Sequence, residues 1–159
     1  MWSEAVKYLG VILYHRLTFT RHVNTINNKA IGLLIKLYPL LNKKSKLSIK
    51  NKLNLFNTII RPVLSYACPA WNLISETNFN KIQVTQNKFL RLIGVYRMFT
   101  PIHTMHKELG VEMFRNYVKI KSQNYFDRIN SQKNNLVKNI PYTACHKKHR
   151  QIMHIIHSN

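Results

Sequence analysis

The sequence predicts a mainly α-helical domain, with a short β strand or hairpin at its N-terminus, a bundle of about five helices, and a basic, mostly disordered tail. Three observations carry this expectation. Apolar residues recur at three- and four-residue spacing through successive segments between Val23 and Phe126. Those segments are bounded by residue types that start and stop helices. The one β-branched, aromatic-rich run, "VKYLGVIL" from Val6 to Leu13, precedes them all. Three regions follow: 1–19, the strand or hairpin; 20–130, the helices; and 131–159, the tail.

The first run is followed by the polar "YHR", so it reads as a strand and turn, or a hairpin. Thr20 is placed to cap the first helix, where Val23, Ile26, Ala30, Leu33, Leu34 and Leu37 share a face until Pro39 ends it. Ser45 opens the second, with Ile49, Leu53, Phe56, Ile60 and Leu64 on one side and Lys46, Lys50, Asn54 and Asn57 on the other. Its last turns contain a puzzle, "RPVLSYACPAW". Inside a helix Pro62 removes a donor and crowds the carbonyl four residues back, at a cost of about 3 kcal/mol. The chain therefore kinks there, or ends its helix near Ile60 and restarts with Pro62 in the first turn; Pro69 then makes a stop. Ser75 caps the next helix, with Phe79, Ile82, Gln86, Phe89 and Ile93 on its buried face and Gly94 at its C-terminus. Thr100, Pro101 and Gly110 bound a short one. A longer helix from about Glu112 to Ile129 carries a broad, imperfect stripe of Phe114, Tyr117, Val118, Ile120, Lys121, Tyr125 and Phe126. The remainder, polar and basic with little period, reads as mostly disordered.

Composition narrows the function. A chain of 159 residues with 45% hydrophobic content can build one core, burying roughly 70% of its unfolded-chain surface. Its 25 Lys plus Arg face only five acids, Glu4, Glu76, Glu108, Glu112 and Asp127, for a formal net charge of +20, which calls for an anionic partner. The basic residues are spread over every segment instead of lying beneath one continuous apolar stripe, which favours nucleic acid over a membrane surface. Lys36, Lys52 and Arg61 interrupt the longest apolar runs, and "MWSEAVKYLG" has no signal-peptide pattern, so the expectation is a soluble, intracellular chain with no membrane partner. Two distant cysteines, Cys68 and Cys145, suit a reducing compartment.

Catalytic chemistry finds little support. Two-metal nucleotidyl transfer needs convergent carboxylates, and the five acids lie on separate segments; Glu108 and Glu112 come closest, with Gly110 between them at a helix break. The tail "CHKKHRQIMHIIH" offers Cys145, His146, His149, His154 and His157 but no closely spaced cysteine pair, so no metal site is assigned and no cofactor is expected in this chain. Cys68, beside Ala67 and Ala70, reads as a packed thiol. The nucleic-acid signal is stronger. Lys43, Lys44, Lys46, Lys50 and Lys52 crowd the segment after Pro39 as phosphate contacts, and Lys88, Arg91, Arg97 and Arg115 form a second candidate patch. Tyr8, Tyr66, Trp71 and Tyr96 are candidates for base stacking or, as the commoner role, core.

The order "YLGVIL", "LTFTRHV", "IRPVLSYACPAW", "IQVTQNKFLRLI", "HTMHKELG" resembles the region downstream of the catalytic core in the reverse transcriptases of non-LTR retrotransposons, jockey-like elements especially. The resemblance covers about Val6 to Ile129. It implies that Tyr8, Leu9, Gly10 and Val11 match the strand turn that closes the palm and grips the primer terminus. Residues 1–19 would then be a remnant of that palm-closing strand, and 20–130 a thumb-like domain. Leu17, Phe19 and His22 match the pattern leading into the first helix. Arg61, Pro62, Leu64, Tyr66 and Trp71 would fall in one thumb helix, and Gln83, Gln86, Asn87, Lys88 and Arg91 in the next. Arg61 joins the candidate nucleic-acid contacts on that basis. One departure is Tyr14, where the family often has an acid. A larger one is that the fingers, the palm and the paired aspartates lie upstream of the matched region, and with them the Mg2+ of the intact enzyme.

The resemblance thus implies a truncated piece of an RNA-directed DNA polymerase that contributes template–primer backbone binding, with no activity of its own and with the missing palm and fingers as partners. The opening methionine, just before the matched region, reads as a truncated element copy or a partial gene model. A free-standing basic RNA-binding helical module is the alternative. A third reading is a structural remnant, whose sign would be exposed apolar area on the helix from Ile49 to Leu64.

Overall fold

A computed structural model describes residues 5–14 and 16–131. The elements run β1 (Ala5–Tyr8), β2 (Val11–Tyr14), α1 (Thr20–Leu41), α2 (Ile49–Leu55), a π-helical turn (Phe56–Ile60), α3 (Arg61–Leu64), α4 (Cys68–Trp71), α5 (Glu76–Gly94), α6 (Ile102–Glu108) and α7 (Phe114–Asn130). The mainly helical fold with an N-terminal hairpin is the one the sequence predicts. The tail beyond Ser131, with its candidate zinc ligands and its expected disorder, lies outside the described residues.

β1 and β2 pair antiparallel from Ala5 opposite Tyr14 to Tyr8 opposite Val11, which leaves Leu9 and Gly10 as a two-residue connection. Both have positive φ, 45° and 81°, the combination a type I′ hairpin turn requires. The turn therefore falls inside the apolar run, at its glycine. An isolated two-stranded hairpin is marginal in water, and this one is pinned from outside. The Tyr66 hydroxyl donates to the Leu9 carbonyl at 2.8 Å, and the Tyr66 ring lies 3.2 Å from where a Cβ on Gly10 would sit.

Two expectations for α1 need correction. Thr20 is its first helical residue and not its cap, because the Thr20 hydroxyl accepts from Asn78 Nδ2 of α5 at 3.1 Å; Phe19, at φ 54°, precedes the helix without a side-chain cap. Pro39 does not end the helix, which runs two residues further to Leu41. The carbonyl that Pro39 cannot serve belongs to Ile35, and both residues are exposed, so that carbonyl is not left in a dry interior by the missing donor.

The second helix begins after Ser48, whose hydroxyl accepts from Asn51 N–H at 3.3 Å, and not after Ser45. Its buried line is Lys52, Phe56, Ile60 and Leu64, with Ile49 half exposed and Leu53 partly buried. Four-residue spacing drifts by roughly 40° per step on an α-helix. The π turn, in which Arg61 N–H bonds the Phe56 carbonyl five residues back, widens the helix and keeps the line facing inward. Pro62 follows directly. It is the residue that would supply the next donor and has none, so the wide register stops and Arg61–Leu64 resumes as α with Pro62 in its first turn. The sequence offered a kink or a restart; the chain uses a local widening that shares features of both. Pro69 opens α4 instead of stopping a helix, after a turn in which Ala67 has φ 53°.

Ser75 caps α5 as predicted, but the left-handed residue at its far end is Val95 (φ 57°) and not Gly94. Gly94 is small for a different reason: a Cβ there would meet the Tyr96 ring. Pro101 directly precedes α6, and Thr100 makes no cap for it; Gly110 does follow in the left-handed region at φ 62°. On α7, Phe114, Val118, Ser122 and Ile129 face inward, whereas Ile120 and Tyr125 of the expected stripe are exposed.

One core joins these elements. Trp71, 1% exposed, stacks on Phe114 at 6.5 Å between ring centroids, sits 6.1 Å from His22, and donates its indole N–H to the Tyr66 carbonyl at 2.7 Å. Phe56 packs on Phe89 at 5.9 Å. Phe56, Ile60 and Leu64 are fully enclosed, so apart from half-exposed Ile49 the face whose exposure would mark a structural remnant packs within the chain's own core.

Candidate nucleic-acid interface

The structure divides the basic residues singled out from sequence into displayed, braced and buried groups. Between α1 and α2, the Asn42 side chain accepts from Ser45 N–H at 3.0 Å and the Ser45 hydroxyl accepts from Leu47 N–H at 3.2 Å. This ordered loop displays Lys43, Lys44 and Lys46, and Lys50 follows on the open side of α2; all four are exposed. Lys52 is not among them. It is 4% exposed, and its ammonium donates to the Asn42 carbonyl at 2.7 Å, serving the C-terminal end of α1. Burial leaves it no surface for a phosphate, so the lysine expected as a contact is a brace for the loop that carries the others.

Arg61 also turns inward. Its guanidinium carbon lies 3.7 Å from the Tyr117 ring centroid and Nη1 donates to Asn57 Oδ1 at 3.4 Å, while Nε and Nη2 are shut from solvent with no partner among the described residues. Burial pulls its pKa below the ordinary arginine value, with Tyr117 and Glu112 opposing that shift. Arg61 therefore joins α3 to α7. Arg115, in the second candidate patch, is ion-paired with Glu76 and stacks over Phe79 at 4.4 Å.

What remains of the second patch lies along α5. Lys81, Val84, Lys88 and Arg91, at spacings of three and four, form its outward stripe. Arg91 closes the stripe by donating from Nη1 to the Arg97 carbonyl at 2.7 Å and from Nη2 to the Thr100 carbonyl at 3.1 Å. It braces the α5–α6 loop, and Arg97 stands exposed on that loop. The Tyr96 hydroxyl donates to Glu108 at 2.7 Å; burial and the adjacent carboxylate push its pKa up to about 12.

The inward side of α5 sets polar side chains among its buried apolar ones. Gln83 Oε1 accepts from Phe114 N–H at 2.7 Å, Gln83 Nε2 donates to Asn87 Oδ1 at 2.8 Å, and Gln86 Nε2 donates to the Glu112 carbonyl at 2.8 Å. His106 donates from Nδ1 to the Val111 carbonyl at 2.7 Å, with Nε2 2.9 Å from Asn87 Oδ1. Burial lowers the His106 pKa, the Val111 carbonyl opposes that, and Arg61 lowers it further. These side chains pair with backbone groups of the α6–α7 connection and of the start of α7. Cys68 is a buried thiol whose pKa burial raises, as a packed cysteine should be.

Of the four residues that the resemblance assigns to a palm-closing turn, Leu9 and Gly10 make the hairpin turn, Tyr8 is exposed and Val11 is buried. Tyr14, where the resemblance expects an acid, lies beneath Arg21 at 5.2 Å. Of the stacking candidates, Trp71 is core, and Tyr66 and Tyr96 are held by hydrogen bonds. The most exposed aromatic in the described residues was overlooked: Phe99, 94% exposed beside Met98. The only sequence signal for it is a large apolar pair between Arg97 and Pro101, outside any periodic run. No group of three or more His, Cys, Asp or Glu that could hold a metal occurs among the described residues, and no described helix is long and apolar enough to cross a membrane.

No family model matches the chain, and no solved structure does. Curated relatives do. The chain is 37% identical over 133 residues, 84% of its length and 15% of the relative's, to a probable RNA-directed DNA polymerase from transposon X-element of Drosophila melanogaster. It is 31% identical over 142 residues, 89% of its length and 16% of the relative's, to the RNA-directed DNA polymerase from mobile element jockey of Drosophila funebris. A probable RNA-directed DNA polymerase from transposon BS of Drosophila melanogaster matches at 28% over 123 residues, 77% of the chain and 14% of the relative. The chain thus spans roughly one-seventh of the length of these relatives, and it is a homologue of that segment of the RNA-directed DNA polymerases of jockey-like and related non-LTR retrotransposons.

Proposed function

We propose that this chain is a nucleic-acid-holding, thumb-like part of a retrotransposon RNA-directed DNA polymerase, gripping the template–primer backbone without itself carrying catalysis. The observation that carries the reading is the braced loop after α1. Lys43, Lys44, Lys46 and Lys50 stand exposed there in a stretch with no Asp or Glu anywhere between Glu4 and Glu76. Uncompensated lysines on an ordered loop are attracted to phosphates and displace condensed counterions on contact. Lys88 and Arg97 supply further contacts, whereas Lys52 and Arg61 hold the surface in shape from inside and Arg91 does so by bracing the α5–α6 loop. Tyr8, Leu9, Gly10 and Val11 take the palm-closing role that the resemblance implies, and the palm and fingers of such a polymerase are the protein partners.

The test is anisotropy binding of the purified chain to a primer–template duplex across a salt series, with primer extension assayed on the same sample. Binding should fall steeply with salt, and replacing Lys43, Lys44 and Lys46 with Ala should lower the log–log slope by about three contacts at about 0.9 each. No primer should be extended. Absence of binding at low salt removes the reading; extension by the chain removes its non-catalytic part.

A further inference from the structure

The α5–α6 loop presents apolar side chains where the fold gains nothing from them. Phe99 is 94% exposed and Met98 81% exposed, in a turn closed by Thr100 N–H on the Arg97 carbonyl at 3.1 Å. The loop is nonetheless held firmly: Arg91 bonds the carbonyls on both sides of the Met98–Phe99 pair, and at its start Tyr96 is tied to Glu108. Folding has thus already met most of the ordering cost that a contact through this loop would otherwise carry.

The surroundings indicate what the ring meets. The basic stripe of α5, through Lys81 and Lys88 to Arg91, leads to this loop, and exposed Arg97 stands two residues before Phe99. Protein–protein contacts are depleted of lysine, which Lys81 and Lys88 supply here, whereas surfaces that hold single strands combine a basic track for the backbone with an aromatic face for the bases. Glu108, the nearby acid, is engaged by Tyr96.

We propose that Phe99 is a base-stacking platform for an unpaired nucleotide, and that Lys88 and Arg97 hold the phosphates on either side of that nucleotide. The inference rests on the nucleic-acid reading above and adds that this end of α5 recognises a single strand, where the lysine loop recognises backbone of any kind.

The experiment uses the full chain with an oligouridine and with a blunt duplex. Phe99→Ala should weaken oligouridine binding roughly tenfold while leaving its salt slope and the duplex affinity unchanged. Phe99→Trp should retain affinity, and its added fluorescence should be quenched by oligouridine as the indole stacks. Because the ring packs against nothing, neither variant should change thermal stability. An unaltered oligouridine affinity in Phe99→Ala, with the lysine-loop variant still lowering the slope, overturns this proposal and leaves the wider reading standing. That pattern would point to a protein as the occupant of the loop. Absence of salt-dependent binding in the unmodified chain overturns both.

Discussion

At the residue scale, Lys52 and Ile49 exchange the roles that their chemistry suggests. The cation lies inside because the Asn42 carbonyl needs a donor at the end of α1, and its long stem reaches that carbonyl while the residue stays 4% exposed. Lys52→Ala should destabilise the fold by about 2 kcal/mol, leaving a carbonyl without its charged donor. Ile49→Ala, at a half-exposed position, should change it by about 0.5 kcal/mol. Urea denaturation of the two variants measures both. The histidines make a second prediction. Burial lowers the pKa of His22 and of His106 below the ordinary 6.5, with a carbonyl opposing the shift in each case and Lys29 adding to it for His22. The unfolded chain therefore takes up protons that the folded one refuses. The stability from these neutral rings is complete above about pH 6.5 and is lost as pH falls toward the depressed folded values. Unfolding free energy should decline on acidification from there, and His22→Phe, which keeps a ring against Trp71, should flatten part of that decline.

At the element scale, the hairpin and the π turn depend on each other through Tyr66. The widened turn and Pro62 set where α3 ends, the left-handed Ala67 redirects the chain, and Tyr66 between them reaches back to Leu9. Tyr66→Phe removes one hydrogen bond, worth about 1 kcal/mol, from an element that cannot stand alone. Hydrogen exchange should quicken in Ala5–Tyr14 and stay unchanged in α5. Phe56→Ala, inside the π turn and against Phe89, should cost about 3–5 kcal/mol and loosen both helices together.

At the scale of the molecule, the charge of +20 acts on folding and binding in opposite directions. Salt screens self-repulsion in the compact state and also weakens attraction to phosphates. Thermal stability should therefore rise between low and physiological salt over the same range in which nucleic-acid affinity falls. Scanning calorimetry beside the binding series tests this, and a fall in melting temperature with salt would contradict it.

The sequence alone determined the helical class, the Ser75 cap, the buried face from Phe79 to Ile93 and the excess of positive charge. Each is local, set by spacing, by a cap's side chain, or by a sum that no fold alters. Only the tertiary structure decided which basic groups face water. Lys52 and Arg61 look like Lys50 and Lys88 in one dimension, and they differ because the carbonyl of Asn42, just past α1, and a ring of α7 lie opposite them. The same holds for Thr20, drawn from its cap by Asn78, and for Pro62, accommodated by an i to i+5 bond that no propensity signals. Phe99 belongs here too, since an apolar residue outside any periodic run is assigned to core or surface by its neighbours in space, and Arg91 holds this one out.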